Sequence, residues 1–201
     1  MRDKYGVIGD PGCYPGTDVL QNRLGLQDPG LLASAEAELA AVAVESIEIG
    51  EPPFDLAYLR ELHRQLFADV YEWAGQLRSI DISKGQTRFC TASRIAPEAN
   101  RLLEHLAEVD NHFVDLERSE LVRRSAELYG ELNMVHPFRD GNGRTLRLFF
   151  EHLILRCGYG VSWEPMDRDE WVAACIAAVG CDYGPLARLL DRCIGDSITE
   201  E

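Results

Sequence analysis

The amino-acid sequence predicts a mainly α-helical domain, a helical bundle with one small β-hairpin. Three observations predict this fold class. Apolar residues recur at helical spacing through most of the chain, one segment (residues 79–94) changes to alternating spacing, and no internal repeat or linker divides the sequence. A chain of 201 residues can bury one core, so we predict a single domain over residues 1–201.

Residues 1–30 form a predicted N-terminal arm. Glycine and proline are concentrated between Asp10 and Thr17, which favours irregular backbone lying on the surface. A short helix is expected around Asp18–Leu24, followed by a longer, alanine-rich helix over Leu31–Ile47. The predicted apolar stripe of the longer helix is Leu32, Ala35, Leu39, Val42 and Val44.

The next helix is predicted to begin at Asp55. Aspartate is a favoured N-cap because its side-chain oxygen accepts hydrogen bonds from the first free amides of a helix. An apolar stripe follows at helical spacing, which predicts a buried face. It consists of Leu56, Leu59, Leu62, Leu66 and Phe67.

The segment Ser79–Arg94 has a different pattern. Ile80 and Ile82 alternate with polar residues, residues 84–86 favour a turn, and residues 87–91 favour a second strand, so we predict a β-hairpin here. The rest of the chain is predicted to be helical, over residues of about 96–109, 117–135, 142–156, 167–179 and 185–194.

Composition narrows the possible partners and location. A net charge of −14 argues against direct binding of nucleic acid, because phosphate contacts need a basic surface. No apolar run approaches the roughly 20 residues that span a bilayer, and the N-terminus lacks the apolar stretch of a signal peptide. The six cysteines show no CxxC spacing and are expected to be reduced thiols. We therefore predict a cytoplasmic protein without membrane contact.

The most informative segment is residues 136–147, with the sequence HPFRDGNGRTLR. Pro137 ends the preceding helix and disfavours helical backbone at His136, for which we expect extended geometry. Phe138 is expected to be buried beneath the loop. The glycines at 141 and 143 permit tight backbone geometry, and a helix starts directly after them.

This arrangement suits a polyphosphate. The free backbone amides at a helix N-terminus bind anions. Arg144 and Arg147 are three residues apart, so both guanidinium groups lie on one face beside that terminus. Asp140 adds a hard oxygen ligand, which suits Mg²⁺ bound together with substrate phosphates. A transition-metal site that adds His152 to this loop is disfavoured, because His152 lies well along the following helix.

Residues 136–147 resemble the signature of Fic proteins, HPFx[D/E]GNGRxxR, with every fixed position filled. Upstream, Tyr71–Gly75 with Arg78 resembles the family's YxWAG…R stretch, and the segment around Lys84 resembles the flap hairpin that follows it. The arm, from Asp3 to Leu24, is similar to that of short bacterial Fic toxins. The resemblance covers most of the chain and implies the Fic fold, with 79–94 as flap and 136–147 as active-site loop and helix start.

The resemblance implies transfer of AMP from ATP to a hydroxyl group of a target protein. His136 would be the general base, and Asp140 would be the ligand of Mg²⁺ bridging the phosphates. The implied catalytic residues are His136, Arg144 and Arg147. The implied nucleotide-binding residues are Gly141, Asn142, Gly143, Arg144, Arg147 and Lys84. Arg139 occupies a position that the family pattern leaves free, so we expect it to be exposed and dispensable.

Two other functions remain open at this point. The same site could transfer phosphate or another nucleotide. In the related Doc toxins, which resemble kinases, the residue that matches Gly143 is a lysine, so glycine at this position favours AMP transfer. A non-catalytic binding module would be expected to lack His136, Asp140 or Arg147, and all three are present.

Regulation and target are implied by resemblance alone. Fic enzymes are commonly inhibited by a helix carrying [S/T]xxxE[G/N], and no segment matches it fully: Ser34…Glu38 is followed by Leu39, Thr17…Gln21 lacks the glutamate, and Ser197…Glu201 ends the given sequence. We therefore expect a small antitoxin that supplies the helix in trans. The toxins that this chain resembles act on the ATPase subunits of DNA gyrase and topoisomerase IV.

Overall fold

The computed structural model describes residues 10–198. The helices of this part are α1 Pro29–Ser46, α2 Leu56–Phe67, α3 Ile95–Glu108, α4 Arg118–Val135, α5 Asn142–Arg156, α6 Arg168–Val179 and α7 Gly184–Cys193. Two antiparallel strand pairs accompany them, β1 Ser83–Lys84 with β2 Thr87–Arg88, and β3 Tyr159–Val161 with β4 Ile194–Ser197. Short 3₁₀ turns lie at Ala92–Arg94 and Asn111–Phe113. The predicted mainly helical fold class is confirmed.

Helix α4 lies at the centre of the bundle. It contacts α3, α5, α6 and α7, while α2 packs against α1, α3 and α5. Burial of the apolar faces of these helices is the main source of fold stability. The N-cap predicted at Asp55 is present, with its side chain accepting a hydrogen bond from the Tyr58 amide at 2.8 Å. Among residues 10–198, no helix is long and apolar enough to cross a bilayer.

The expectation of only one strand pair is wrong. Strands β3 and β4 are three and four residues long and come from segments more than thirty residues apart, with an irregular register between Tyr159 and Val161. Neither strand is long enough to show an alternating pattern, and no turn joins them. The pairing is therefore a consequence of the tertiary fold, which brings the end of α7 beside the end of α5.

Helix α1 starts earlier than expected and buries a different face. Asp28 caps it by accepting hydrogen bonds from the amides of Gly30 and Leu31, both at 2.9 Å. Its buried residues are Leu32, Glu36 and Ala40, whereas the predicted Val42 and Val44 are exposed. In an alanine-rich helix many positions are apolar, so the pattern left the buried face ambiguous and hid a buried glutamate.

The helix predicted at Asp18–Leu24 does not form. Instead the arm folds back on itself, with a β-bridge between Cys13 and Leu20 and a hydrogen bond from the Tyr14 amide to the Val19 carbonyl at 2.9 Å. Gly16, with φ +78°, permits the turn between them. The part of the arm resemblance that rests on Asp3–Gly6 lies outside the described residues, as does the end of the Ser197…Glu201 segment.

The predicted β-hairpin forms, but its strands are shorter than expected. Ser83 pairs with Arg88 and Lys84 with Thr87, and Gly85 makes the turn at φ +58°. Ile80 lies outside the paired strands and packs against a small separate cluster of two buried residues, Ile82 and Phe89.

Candidate active site

The predicted active-site loop follows α4 in a left-handed turn. His136, which caps the helix, has φ 47° and ψ 63° instead of the expected extended geometry. Its amide still donates to the Leu132 carbonyl at 3.1 Å, so the helix hydrogen-bond pattern continues up to the turn. The left-handed cap avoids the helical backbone that Pro137 disfavours and reverses the chain direction at once.

The side chain of Asn142 closes the loop. Its Oδ1 accepts from the Phe138 amide at 2.9 Å, and its Nδ2 donates to the Phe138 carbonyl at 2.8 Å. Phe138 itself is buried, as expected. Asn142 is also the first residue of α5, which has no side-chain N-cap within the described chain. Its side chain therefore fixes the loop, while the helix N-terminus stays open as an anion site.

Position 141 requires glycine for two reasons, its backbone conformation and its close neighbours. It has φ +77°, and a Cβ atom built there would lie 2.5 Å from the ring of Phe67, which is fully buried. Gly143 differs, because an added Cβ would meet only Nη1 of Arg147 at an ordinary 3.5 Å. The absence of a side chain at 143 therefore leaves cavity space beside Arg147 and is not a backbone requirement.

His63 supports the active-site loop, a role that no sequence motif indicated. Its Nδ1 accepts a hydrogen bond from the Gly75 amide at 2.8 Å, so its Nε2 carries the proton and donates to the Asp140 carbonyl at 3.0 Å. The ring stacks on Phe138 with centroids 3.9 Å apart, and burial lowers the pKa of His63 to about 4. The only sequence signal was its position on the buried stripe of α2.

Arg78 joins the flap to the loop. Its guanidinium donates to the carbonyls of His136 at 2.8 Å, Ile80 at 2.7 Å, Cys90 at 2.5 Å and Val135 at 3.2 Å. Arg78 is itself buried. One side chain therefore sets the distance between both ends of the flap and the turn that carries His136.

The expectation that Arg139 is exposed is wrong. Its side chain is 9% exposed, and its guanidinium forms an ion pair with Asp10, whose side chain is 5% exposed. Nε of Arg139 donates to Oδ2 of Asp10 at 2.9 Å. The family pattern leaves this position free, but here the ion pair ties the N-terminal arm to the active-site loop.

His136 is held as a neutral imidazole. Its Nδ1 lies 3.1 Å from the Asn133 carbonyl, which can only accept a hydrogen bond, so Nδ1 carries the proton and Nε2 is the basic atom. The ring stacks on Phe89 of the flap, with centroids 3.8 Å apart. Burial lowers the pKa of His136 to about 3, and the positive charges of Arg78 and Lys84 add to this effect.

The two arginines of α5 have different surroundings. Arg144 forms an ion pair with Glu36 of α1, and its Cζ lies 4.8 Å above the ring centroid of Phe67. Arg147 lies beside Tyr129, a buried residue of α4 whose pKa is raised by burial and held down in part by that arginine. The spacing of the two arginines predicted one shared helix face, but no sequence pattern indicated the contact with Glu36.

One cavity brings all the predicted site residues together. It has a volume of about 660 Å³ and is lined on its polar side by Lys84, His136, Asp140, Gly141, Asn142, Gly143, Arg144 and Arg147. Apolar side chains of α6 and the segment before it also line the cavity. A volume of this size, lined by basic groups, backbone amides and apolar side chains, suits a nucleotide.

The donor groups around Asp140 fit the expected Mg²⁺. Among residues 10–198 no three or more His, Cys, Asp or Glu side chains form a metal-binding group. Asp140 is therefore a single carboxylate at the cavity, and its Oδ1 accepts from the Gly141 amide at 2.8 Å. Mg²⁺ commonly uses one or two carboxylates together with substrate phosphates and water, so this donor fits it.

Comparison with known sequences identifies the family. Residues 53–154 match the Fic/DOC family. The chain belongs to this family. It is 38% identical over 197 residues to the "Probable protein adenylyltransferase Fic" of Escherichia coli K12, covering 98% of each chain, and 39% identical to the Salmonella typhimurium protein of the same name. It is also 38% identical to "Protein adenylyltransferase VbhT" of Bartonella schoenbuchensis, of which it covers 40%.

Solved structures show the same fold. The BepC protein of Bartonella tribocorum, solved with bound AMPPNP, superposes with a TM-score of 0.85 at 26% identity, over 92% of this chain and 97% of that one. A Fic domain from Bartonella quintana with bound ADP gives 0.84 at 28% identity, over 92% and 95%. The predicted Fic fold is confirmed, and the predicted enzyme class, a protein adenylyltransferase, agrees with the names of the relatives.

Proposed function

We propose that the chain transfers AMP from ATP, in the presence of Mg²⁺, to a hydroxyl side chain of a target protein. The observation that carries the proposal is the convergence of one neutral histidine, one carboxylate, a helix N-terminus and two arginines on a single nucleotide-sized cavity. The related structures that hold AMPPNP and ADP support a nucleotide as its occupant. Reactions of this type depend on positioning and charge neutralisation.

The proposed chemistry follows from the tautomer of His136. Its Nε2 takes the proton of the target hydroxyl, and the hydroxyl oxygen forms a bond to the α-phosphorus as the bond to the β-phosphate oxygen breaks. Pyrophosphate leaves and AMP remains on the target. Asp140 would hold Mg²⁺, which neutralises phosphate charge when bound, while the α5 N-terminus and Arg147 face the leaving phosphates.

Gly143 supports AMP transfer over phosphate transfer. The space beside Arg147 that glycine leaves open can take the terminal phosphates, whereas a lysine there would fill it with a second cation. Among residues 10–198 the two short flap strands pair only with each other, and a target segment can add to an outer edge of such a pair through main-chain hydrogen bonds.

The test uses ATP labelled at the α-position in a bacterial lysate, with γ-labelled ATP in parallel. We expect a protein band that carries only the α-label and disappears with His136→Ala, because loss of a general base costs about 10²–10⁴-fold. His105→Ala, at an exposed position, is the matched control. Label from the γ-position alone would mean phosphate transfer, and no label from either would favour a binding module.

Regulation in trans and the topoisomerase target are part of the same proposal. Glu38, the best internal candidate for an inhibitory glutamate, is exposed on α1, which supports a helix supplied by a separate antitoxin. The labelling experiment is repeated with purified ATPase subunits of DNA gyrase and topoisomerase IV as the only acceptors. An unlabelled subunit beside a labelled lysate band would exclude this target and keep the activity.

A further inference from the structure

Glu36 is a buried carboxylate on a helix that the proposed chemistry does not use. It occupies the middle of the buried stripe of α1, between Leu32 and Ala40, and is 6% exposed. Burial of a carboxylate is unfavourable unless it is paired and hydrogen-bonded. A glutamate at this position therefore calls for a specific partner.

The Arg144 guanidinium and the Glu36 carboxylate bind each other, and Tyr71 and Phe67 hold this pair in place. Oε1 of Glu36 accepts from Nη2 of Arg144, and the Glu36 backbone carbonyl lies 3.4 Å from Nη1. Oε2 accepts from the hydroxyl of Tyr71, whose raised pKa, due to burial and then to Glu36, keeps it protonated as a donor. The ring of Phe67 lies against the guanidinium face. The orientation of Arg144 is thus fixed on several sides.

The position of Glu36 relative to the cavity decides whether it competes with phosphate for Arg144. Arg144 lines the cavity, whereas within the described chain Glu36, Tyr71 and Phe67 do not. A carboxylate that competed with phosphate for Arg144 would have to lie inside the cavity. Glu36 instead contacts Arg144 from outside the cavity lining, and its two contacts use at most two of the five guanidinium N–H groups, so three N–H groups remain for phosphate.

We propose that Glu36 is a positioning residue that holds Arg144 in the orientation required by the β- and γ-phosphates of ATP, with Tyr71 fixing the carboxylate in turn. This inference rests on the proposed function, since it assumes that the cavity binds ATP. Fixing a long side chain in advance removes an entropy loss from substrate binding and keeps the donor aligned. The helix α1, outside the loop and the flap, thereby becomes part of the nucleotide site.

The test measures binding of ATP and of AMP, each with Mg²⁺, by calorimetry. Because Arg144 acts on phosphates that AMP lacks, we expect Glu36→Ala to weaken ATP binding about tenfold and to leave AMP binding unchanged. Glu36→Gln keeps an acceptor without the charge, so its loss should be smaller. Glu38→Gln, on the exposed side of the same helix, should match the wild type.

A double mutant separates positioning from general support. If Glu36 acts through Arg144, adding Glu36→Ala to Arg144→Ala should weaken ATP binding no further. Additive losses, or equal losses for ATP and AMP, would overturn the proposal. So would unchanged ATP affinity in Glu36→Ala, and tighter binding would mean that the contact is inhibitory.

Measurements on the wild type distinguish failure of the proposed function from failure of the inference about Glu36. If it binds ATP but transfers no label, the proposed activity fails, and the ATP and AMP comparison still decides the role of Glu36. If it does not bind ATP, the proposed function fails and the inference with it. If Glu36→Ala does not fold, as judged by thermal unfolding, Glu36→Gln and Tyr71→Phe carry the comparison.

Discussion

The active-site loop and the flap line the same cavity but are built differently. Residues 136–142 are all buried, and the loop is held by the side chains of His63, Asn142 and Arg139. The flap has strands of two residues each, and its tip at residues 84–86 is exposed. Below that tip, the apolar cluster of Ile82 and Phe89 holds the base of the hairpin.

This difference matches two different tasks. In-line transfer needs the base, the carboxylate and the anion site at fixed positions, and small displacements reduce rates strongly. Recognition of an extended segment needs free main-chain groups, which an exposed strand edge provides. Buried hydrogen bonds therefore hold the active-site loop, where the proposed function requires fixed groups, whereas the tip of the flap, proposed to pair with the target, is exposed.

Breaking one ion pair in each region is expected to give the largest contrast. Arg139→Met leaves Asp10 buried without its partner and should lower the free energy of unfolding by about 3–5 kcal/mol. Arg88→Met removes the flap ion pair with Asp81, in which the side chain of Arg88 is 71% exposed and that of Asp81 is 46% exposed. This change should alter the free energy of unfolding by less than about 1 kcal/mol. Urea titrations of both variants measure the difference. Equal losses would contradict the proposed contrast.

Two glycines with positive φ provide a matched second comparison. Gly141→Ala adds a left-handed alanine and a clash with Phe67, so we expect a loss of about 2–4 kcal/mol together with loss of transfer activity. Gly85→Ala has nothing within 4 Å of its Cβ and should lose only about 1 kcal/mol of backbone strain. Thermal unfolding and labelling are measured on both. An active Gly141→Ala variant would show that the loop tolerates displacement.

The smallest expected effect is that of pH on the transfer rate. A base with an ordinary histidine pKa of about 6.5 would lose activity about tenfold between pH 7.5 and 5.5 as it becomes protonated. The pKa of His136 is lowered to about 3, mainly by burial, so the base stays neutral and kcat/KM should change by less than about twofold over this range. Initial rates with α-labelled ATP test this. A rate that falls in step with an ordinary histidine would show that His136 becomes solvated before it reacts.

The sequence predicted the parts of the site that are contiguous in the chain. The motif from His136 to Arg147 specifies the loop, the helix start and the residues around the cavity, because their spacing alone brings them together. Helices α2 to α7 were also predictable from periodicity, whereas the buried face of α1 was not. The roles of the predicted site residues remain predictions.

The contacts that hold the loop were not predictable, for a physical reason. Asp10 and Arg139 are far apart in sequence, as are His63 and Asp140 or Glu36 and Arg144, and each pair meets only because helices and the arm pack together. A single histidine or glutamate on a helix gives no local signal of its partner. Strand pairing between β3 and β4 was missed for the same reason.

Arg78 has a consequence for how this scaffold can be modified. Its guanidinium binds the carbonyls of Ile80 and Cys90, so the two ends of the flap are anchored to the same buried group that binds the carbonyl of His136. The residues between those anchors can therefore be exchanged without altering the anchors. A hairpin of different sequence or length between positions 83 and 88 would change the strand edge offered to a target segment, whereas His136, the proposed base, would keep its place.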